Sequence, residues 1–439
     1  MWPLEAISLW DDDVQTQSTC GRRHQRRPLT EMDPNAITPR KERRRDVKGD
    51  SAVIEGHGDE EEPIPRPHPL SGVPLMSPTS IHRPPSTSSP SRTSTSSHSA
   101  SIESTESRKR KRSTSPSKQR LELNQYAEYA LQQRAWGRVD ELPEEMRDLA
   151  ASMQLISKGR RVLSSEHAHW EQQVGSGITE EDQLIFAKQG VREETGDVPD
   201  LISVRRVLRR AERNAQCNCS EAAWNSGVHD FLLDMAHRGS RHTDGVLWEN
   251  ITTARIYPSN LLETRSLYGG SSPERAESKR VDFCIALNMN PSLGKELKSK
   301  GILQLNHTDY GGTRYNPICV SIETKAGAEA GADATLQLTT WVAAQDAFLR
   351  RVLKKLGRPN VTIPPLPLVM IQGHQWNFYY AQMKTDATTL WYGGDAFGNT
   401  STLLGIFRII AGLQQLMQWA EAVYKPWFTE NITDPLLDS

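Results

Sequence analysis

The spacing of apolar and polar residues divides the chain into distinct textures. Up to residue 120 apolar side chains are sparse and follow no period. From residue 121 they recur three and four positions apart. They do so in 123–136 (LNQYAEYALQQRAW), 142–159 (LPEEMRDLAASMQLISKG), 179–190 (TEEDQLIFAKQG) and 198–215 (VPDLISVRRVLRRAERNA). That is the spacing of helices with one buried face. Residues 220–236 (SEAAWNSGVHDFLLDMA) predict a further helix, with Ser220 as N-cap and Trp224, Val228, Phe231, Leu232 and Met235 as its apolar face. Glu221, Asn225 and His229 recur at every fourth position and share a different face, which either lines a site or meets solvent.

Beyond residue 245 the period shortens. Residues 246–258 (VLWENITTARIYP), 279–289 (KRVDFCIALNM) and 316–327 (NPICVSIETKAG) read as strands, rich in β-branched and aromatic residues. The polar, Gly-containing stretch 290–316 reads as an inserted loop. Residues 333–357 predict a long amphipathic helix ended by Gly357 and Pro359; 367–383 predict two strands about Gly373; 387–394 (ATTLWYGG) add a strand; 403–424 predict a closing helix. The order α-β-β-β-α-β-β-α describes a mixed α/β unit of about 200 residues, an ordinary domain size.

Composition sharpens the boundary at 120. The chain of 439 residues is 36% hydrophobic, below the usual 45–50%, yet 27 of its 29 aromatic residues lie beyond residue 120, and only Trp2 and Trp10 precede it. Residues 71–118 hold 17 Ser, 6 Thr and 6 Pro, too little apolar surface to offset chain entropy. Residues 1–120 are therefore expected to be a disordered, Ser/Thr/Pro-rich and basic arm. Residues 121–216 are expected to be a helical extension packed on the core, 217–425 the core domain, and 426–439 a C-terminal tail.

The formal net charge of −1 conceals +4 in the arm and −5 in the remainder, which excludes a uniformly basic, histone-like protein. Binding to nucleic acid through a local patch stays open. The arm carries PRKERRR at 39–45 and RKRKR at 108–112. The second run reads as a nuclear-import signal or a nucleic-acid tether, the alternative being a solvated basic run. Arg205, Arg206, Arg209, Arg210 and Arg213 form a stripe on the helix at 198–215 that either faces phosphates or is its solvated side. Five cysteines with no C-x-x-C pair argue against a disulfide framework or a thiolate zinc site. The N-terminus lacks a secretory pattern and no apolar run reaches 18 residues, so the protein is expected to be nuclear, or otherwise cytoplasmic, and neither secreted nor membrane-spanning.

Three polar residues stand where strands favour apolar ones. Asp282 interrupts VDFCIAL, and Glu323 and Lys325 close ICVSIETK. Glu323 and Lys325 are two apart and so share one face of a strand. A carboxylate on a buried strand has a large desolvation cost unless paired or bound to a cation. A second carboxylate from a neighbouring strand would complete an oxygen-donor site of the kind that holds Mg²⁺. The bland alternative is a strand-end aspartate and a surface ladder pair.

Asp282 in RVDF and the run Glu323-Thr324-Lys325 resemble the PD-(D/E)XK nuclease superfamily, and more closely a fungal group of uncharacterised PD-(D/E)XK nuclease-like proteins. In that group EAAWN, V-H, VDF, IETK, QL-x-x-W-x-x-AQ and QGH-x-W recur in this order over about residues 200–425. Val281 stands where the superfamily's name has Pro, and the 41-residue gap from Asp282 to Glu323 is long for neighbouring strands. The resemblance implies a restriction-endonuclease-like core, a central mixed β-sheet flanked by helices. It implies a nuclease that hydrolyses phosphodiester bonds with Mg²⁺ or Mn²⁺, acting on nucleic acid, DNA ahead of RNA. Asp282 and Glu323 would bind metal, with the Thr324 carbonyl as a further ligand and Glu221 in support. Lys325 would act on water or phosphate, and Gln337, four residues before Trp341, would help to position Lys325 or the substrate backbone. The alternative is a nuclease-fold module that binds nucleic acid or regulates in the nucleus without cleaving.

Overall fold

The computed structural model describes residues 130–170, 185–188, 190–258, 261, 280–327, 331–384 and 387–439. The arm expected at 1–120, with both basic clusters, lies outside the described residues.

The centre is one mixed sheet. Its strands are β1 (Ala130–Trp136), β4 (Val246–Asn250), β5 (Phe283–Leu287), β6 (Ile318–Lys325), β7 (Leu366–Gln372), β8 (Gln375–Met383) and β9 (Ala387–Gly393), in the order β1-β9-β8-β7-β6-β5-β4, with β10 (Gly398–Asn399) paired to β8. Strands β4, β5 and β6 run antiparallel in turn, β6 and β7 are parallel, and β7, β8 and β9 are antiparallel. Every residue of β5 is buried, and all of β6 but Lys325. Strands covered on both faces read as continuous apolar runs, which is why the three polar interruptions stood out. A second, two-stranded sheet joins β2 (Leu163–Ser164) to β3 (Phe186–Ala187).

Helices flank the sheet. They are α1 (Glu144–Ser157), α2 (Leu201–Gln216), a composite α3 (residues 221–239), α4 (Pro291–Ser299), α5 (Gly331–Lys355) and α6 (Leu403–Trp419). Asp200 caps α2 by accepting from the Ser203 amide at 2.9 Å, as N-cap aspartates do. Helix α6 carries almost no polar surface and is buried along most of its length, against α1, α2 and α3. Trp341, Trp376, Tyr380, Phe283, Phe397 and Phe407 are fully buried in the single core these elements enclose.

Four sequence expectations are corrected. The helix expected over 123–136 is a strand where described: Ala130–Trp136 pairs in parallel with β9, Ala130 opposite Ala387 and Trp136 opposite Gly393. The extension is thus only partly helical. Of the helix expected at 179–190, Phe186–Ala187 is instead strand β3. The loop expected at 290–316 contains α4, begun by the Asn290 side chain accepting from the Ser292 amide at 2.9 Å and by Pro291 in the first turn. The residues expected as a tail form further helical turns, Lys425–Phe428, Thr429–Thr433 and Asp434–Asp438, and seat Phe428, Ile432 and Leu436 in the core.

Candidate active site

Asp282 is the residue before β5, and Glu323, Thr324 and Lys325 end the adjacent β6. The Asp282 amide donates to the Ile322 carbonyl at 3.0 Å, which ties the two strand ends together. Pairing β5 with β6 therefore brings carboxylates 41 residues apart in sequence to one place, and the connection holds α4 and an ordered polar loop.

The third contributor is α3. It is made of Glu221–Trp224, a π-helical turn Asn225–His229, and Asp230–Gly239. Ser220 sits at its N-cap position without a side-chain cap bond. Glu221, Asn225 and His229 do turn to the sheet together. Single π turns inside α-helices concentrate at functional sites.

Lys325 is the hub. Its Nζ lies 2.5 Å from Glu323 Oε1, 3.4 Å from Glu221 Oε2 and 2.8 Å from the Thr324 carbonyl oxygen, so each of its three protons has an acceptor. Glu323 is fully buried, and its second oxygen, Oε2, has no partner. Burial first, and then repulsion from Asp282, pushes the Glu323 carboxyl up to about 8 against the attraction of Lys325. Burial also raises Glu221, with Lys325 opposing. Lys325 is lowered by burial, but Glu323, Glu221 and Asp282 outweigh that and hold it above its ordinary value.

Asp282 is anchored on both oxygens. Its Oδ1 accepts from Asn225 Nδ2 at 3.2 Å; its Oδ2 accepts from the Thr324 amide at 3.0 Å and faces the Thr324 hydroxyl at 2.9 Å. Burial raises its carboxyl, and the Thr324 and Asn225 bonds work the other way.

Gln337 on α5 is elsewhere. Its Nε2 donates to the Arg280 carbonyl at 3.4 Å, so it touches the approach to Asp282 and not Lys325. His374 bonds Thr400 Oγ1 at 2.8 Å and packs edge-on to Trp224. The arginines of α2 are all exposed; Arg206 lies over the Phe231 ring, 5.5 Å from its centroid. Part of the basic end of α5 is structural: Arg350 pairs with buried Asp346 at 2.7 Å, and Arg358 donates to the Glu430 carbonyl. Asn225 was not among the expected site residues, although its four-residue spacing from Glu221 was the signal.

A mixed eight-stranded sheet flanked by helices, with an aspartate, a glutamate and a lysine converging from two adjacent strands, defines a restriction-endonuclease-like α/β protein. The family model of the PD-(D/E)XK nuclease superfamily matches residues 171–425, more than half of the chain, and the chain belongs to that superfamily. No curated protein and no solved structure matches it.

Members of this superfamily typically use divalent metals, and the donors fit one in kind. Glu221, Asp282, Glu323 and the Thr324 carbonyl are all oxygen ligands, as Mg²⁺ and Mn²⁺ favour, and the orphaned, buried Glu323 Oε2 is an acceptor in want of a cation. They are not preassembled: among the described residues no group of three His, Cys, Asp or Glu is placed to hold a metal ion. The Lys325 ammonium lies between Glu323 and Glu221 and offsets part of the negative charge.

Proposed function

We propose that the protein is a metal-dependent nuclease that hydrolyses phosphodiester bonds of nucleic acid, DNA ahead of RNA. Asp282, Glu323 and Lys325 form its active-site set. Glu323 carries the reading: a fully buried carboxylate with one oxygen on Lys325 and the other unpartnered has no packing rationale, because burying a polar group unpaired costs about 1–3 kcal/mol.

In this reading Asp282, Glu323 and the Thr324 carbonyl hold Mg²⁺ or Mn²⁺, with Glu221, the most exposed of the three carboxylates, in support. Bound there, the ion supplies Lewis-acid polarisation of the phosphate. Lys325 keeps its proton at neutral pH and, released from Glu323, turns its charge to the phosphate oxygens as negative charge builds on them. Gln337 steadies the chain entering Asp282 through the Arg280 carbonyl. The basic run at 108–112 supports a nuclear location.

A second reading rests on the same lysine. All three Nζ protons are satisfied within the chain, so the lysine is held and offsets part of the carboxylates' charge without a metal, as suits a nuclease-fold module that binds nucleic acid and does not cut. The test is a cleavage assay of the full chain on single- and double-stranded DNA and RNA with Mg²⁺, Mn²⁺ or EDTA, beside Lys325→Ala. Metal-dependent cutting absent in the variant supports the nuclease. No cutting, with binding that persists in EDTA, moves the reading to the module.

A further inference from the structure

Behind Asp282 runs a chain of buried polar contacts that the carboxylate–lysine set does not include. His229 Nδ1 lies 2.9 Å from Asn225 Oδ1, Thr324 Oγ1 lies 2.8 Å from the same oxygen, and Asn225 Nδ2 lies 3.2 Å from Asp282 Oδ1. The roles are forced. An amide oxygen only accepts, so His229 must carry its proton on Nδ1 and donate. The Thr324 hydroxyl has one proton to direct at either Asn225 Oδ1 or Asp282 Oδ2. With its oxygen turned to His229, Asn225 has only its NH₂ group to offer to Asp282. The opposite amide rotamer would turn its oxygen on the Asp282 carboxylate, and it would meet the imidazole without repulsion only if the ring proton moved from Nδ1 to the buried, partnerless Nε2.

His229 is 1% exposed, stacked on Trp224 and edge-on to Trp376. Its Nε2 is buried without a partner. An imidazole that only filled space between two indoles would be better replaced by an apolar ring, since the orphaned acceptor is a cost with no packing return. What His229 supplies, and a phenyl ring does not, is the N–H to Asn225. The π turn at 225–229 holds both residues on the sheet side of α3.

We propose that Asn225 and His229 are positioning residues for the metal centre: Asn225 orients and holds the Asp282 carboxylate, and His229 fixes the Asn225 amide in the rotamer that does so. Burial supports the assignment by pushing the imidazole down to about 3, so His229 is neutral at working pH and keeps a lone Nδ1 proton to give. The inference rests on the nuclease reading, in which Asp282 is a metal ligand. Outer-shell partners of this kind commonly tune metal affinity or activity about 10–100-fold.

The test titrates MgCl₂ and MnCl₂ against the melting temperature of the full chain, for wild type, Asn225→Ala, His229→Phe, His229→Gln and Asp282→Asn, with cleavage measured in parallel. The metal-free melt in EDTA reports folding separately. The expected result is a half-saturating metal concentration raised about 10-fold or more in Asn225→Ala and His229→Phe. His229→Phe should melt in EDTA no lower than wild type. His229→Gln, which retains an N–H donor, should recover part of the loss. An unchanged metal midpoint in folded Asn225→Ala and His229→Phe, with the response abolished in Asp282→Asn, overturns the positioning roles and leaves the metal centre standing. An undiminished response in Asp282→Asn, or none in wild type, overturns the metal reading and the positioning roles with it.

Discussion

Lys325 and Glu323 face the same way from the end of one strand, ammonium nitrogen 2.5 Å from carboxylate oxygen, and neither is at home there without the other. Glu323 has no exposed surface, and Lys325 has about an eighth of its side chain in water. Removing one partner of a buried pair costs about 3–5 kcal/mol when the other stays charged. In Lys325→Met the attraction that opposes burial is gone, so Glu323 is pushed higher still, and the variant should lose more stability relative to wild type at pH 9, where wild type ionises Glu323 beside the ammonium, than at pH 6. Denaturant unfolding at the two pH values in EDTA measures both; equal losses would contradict the pairing.

Glu323 also sets a slope of stability with pH. Its folded value of about 8 stands above its ordinary 4.5, so between these the folded state holds a proton that the unfolded state has released. Its contribution is fully present below about pH 4.5 and is lost as pH rises through about 8. The metal-free melting temperature should fall across that window more steeply in wild type than in Glu323→Gln. A bound divalent cation competes with that proton, so Mg²⁺ should stabilise wild type more at pH 8 than at pH 6.

The Thr324 hydroxyl is shared between Asn225 and Asp282, while its amide holds Asp282 independently. Thr324→Val keeps the strand geometry and the amide but removes the hydroxyl bond, leaving His229 as the donor to Asn225 Oδ1 and the residue 324 amide as the donor to Asp282 Oδ2. The expected cost is about 0.5–1.5 kcal/mol, with weakened cleavage. Thr324→Ser should restore both, and a Val variant as stable as wild type would show that the hydroxyl is idle.

Gly393 closes β9 opposite Trp136 with φ of 143°, and a Cβ there would run into the Trp136 carbonyl oxygen. Gly393→Ala meets backbone that cannot yield without unpairing β1. It should cost more than 1 kcal/mol and expose the amides of β1 to hydrogen exchange, whereas Gly227→Ala, whose Cβ would meet only the flexible Arg210 guanidinium, should be tolerated.

Where sequence patterns were dense, they were legible. The apolar runs of β5 and β6, the Gly373 turn and the long helix α5 stand where their periods put them. Asp282, Glu323 and Lys325 were visible because charge on a buried strand violates its own pattern. What misled was local propensity under tertiary pressure. AEYALQQRAW is built from good helix formers, yet from Ala130 it is held extended by β9, which no local signal reports. Helix α4 was hidden in polar composition although Asn290 and Pro291 marked its start. Asn225 was missed for a different reason. Its spacing from Glu221 showed that they shared a face, but only the sheet reveals that the face looks inward.

Strand β1 and helix α1 both precede residue 171, where the family match begins, and yet they belong to the folded body. Tyr380 of β8 donates its hydroxyl to the Met146 carbonyl in α1 at 3.0 Å, and β1 lies along the whole of β9. Cutting the protein at the family boundary would strip the sheet of its outer strand and leave one edge of Ala387–Gly393 bare. Such a truncated piece should be sticky and poorly soluble. The part of this chain that is recognisable by descent is smaller than the folded body it belongs to.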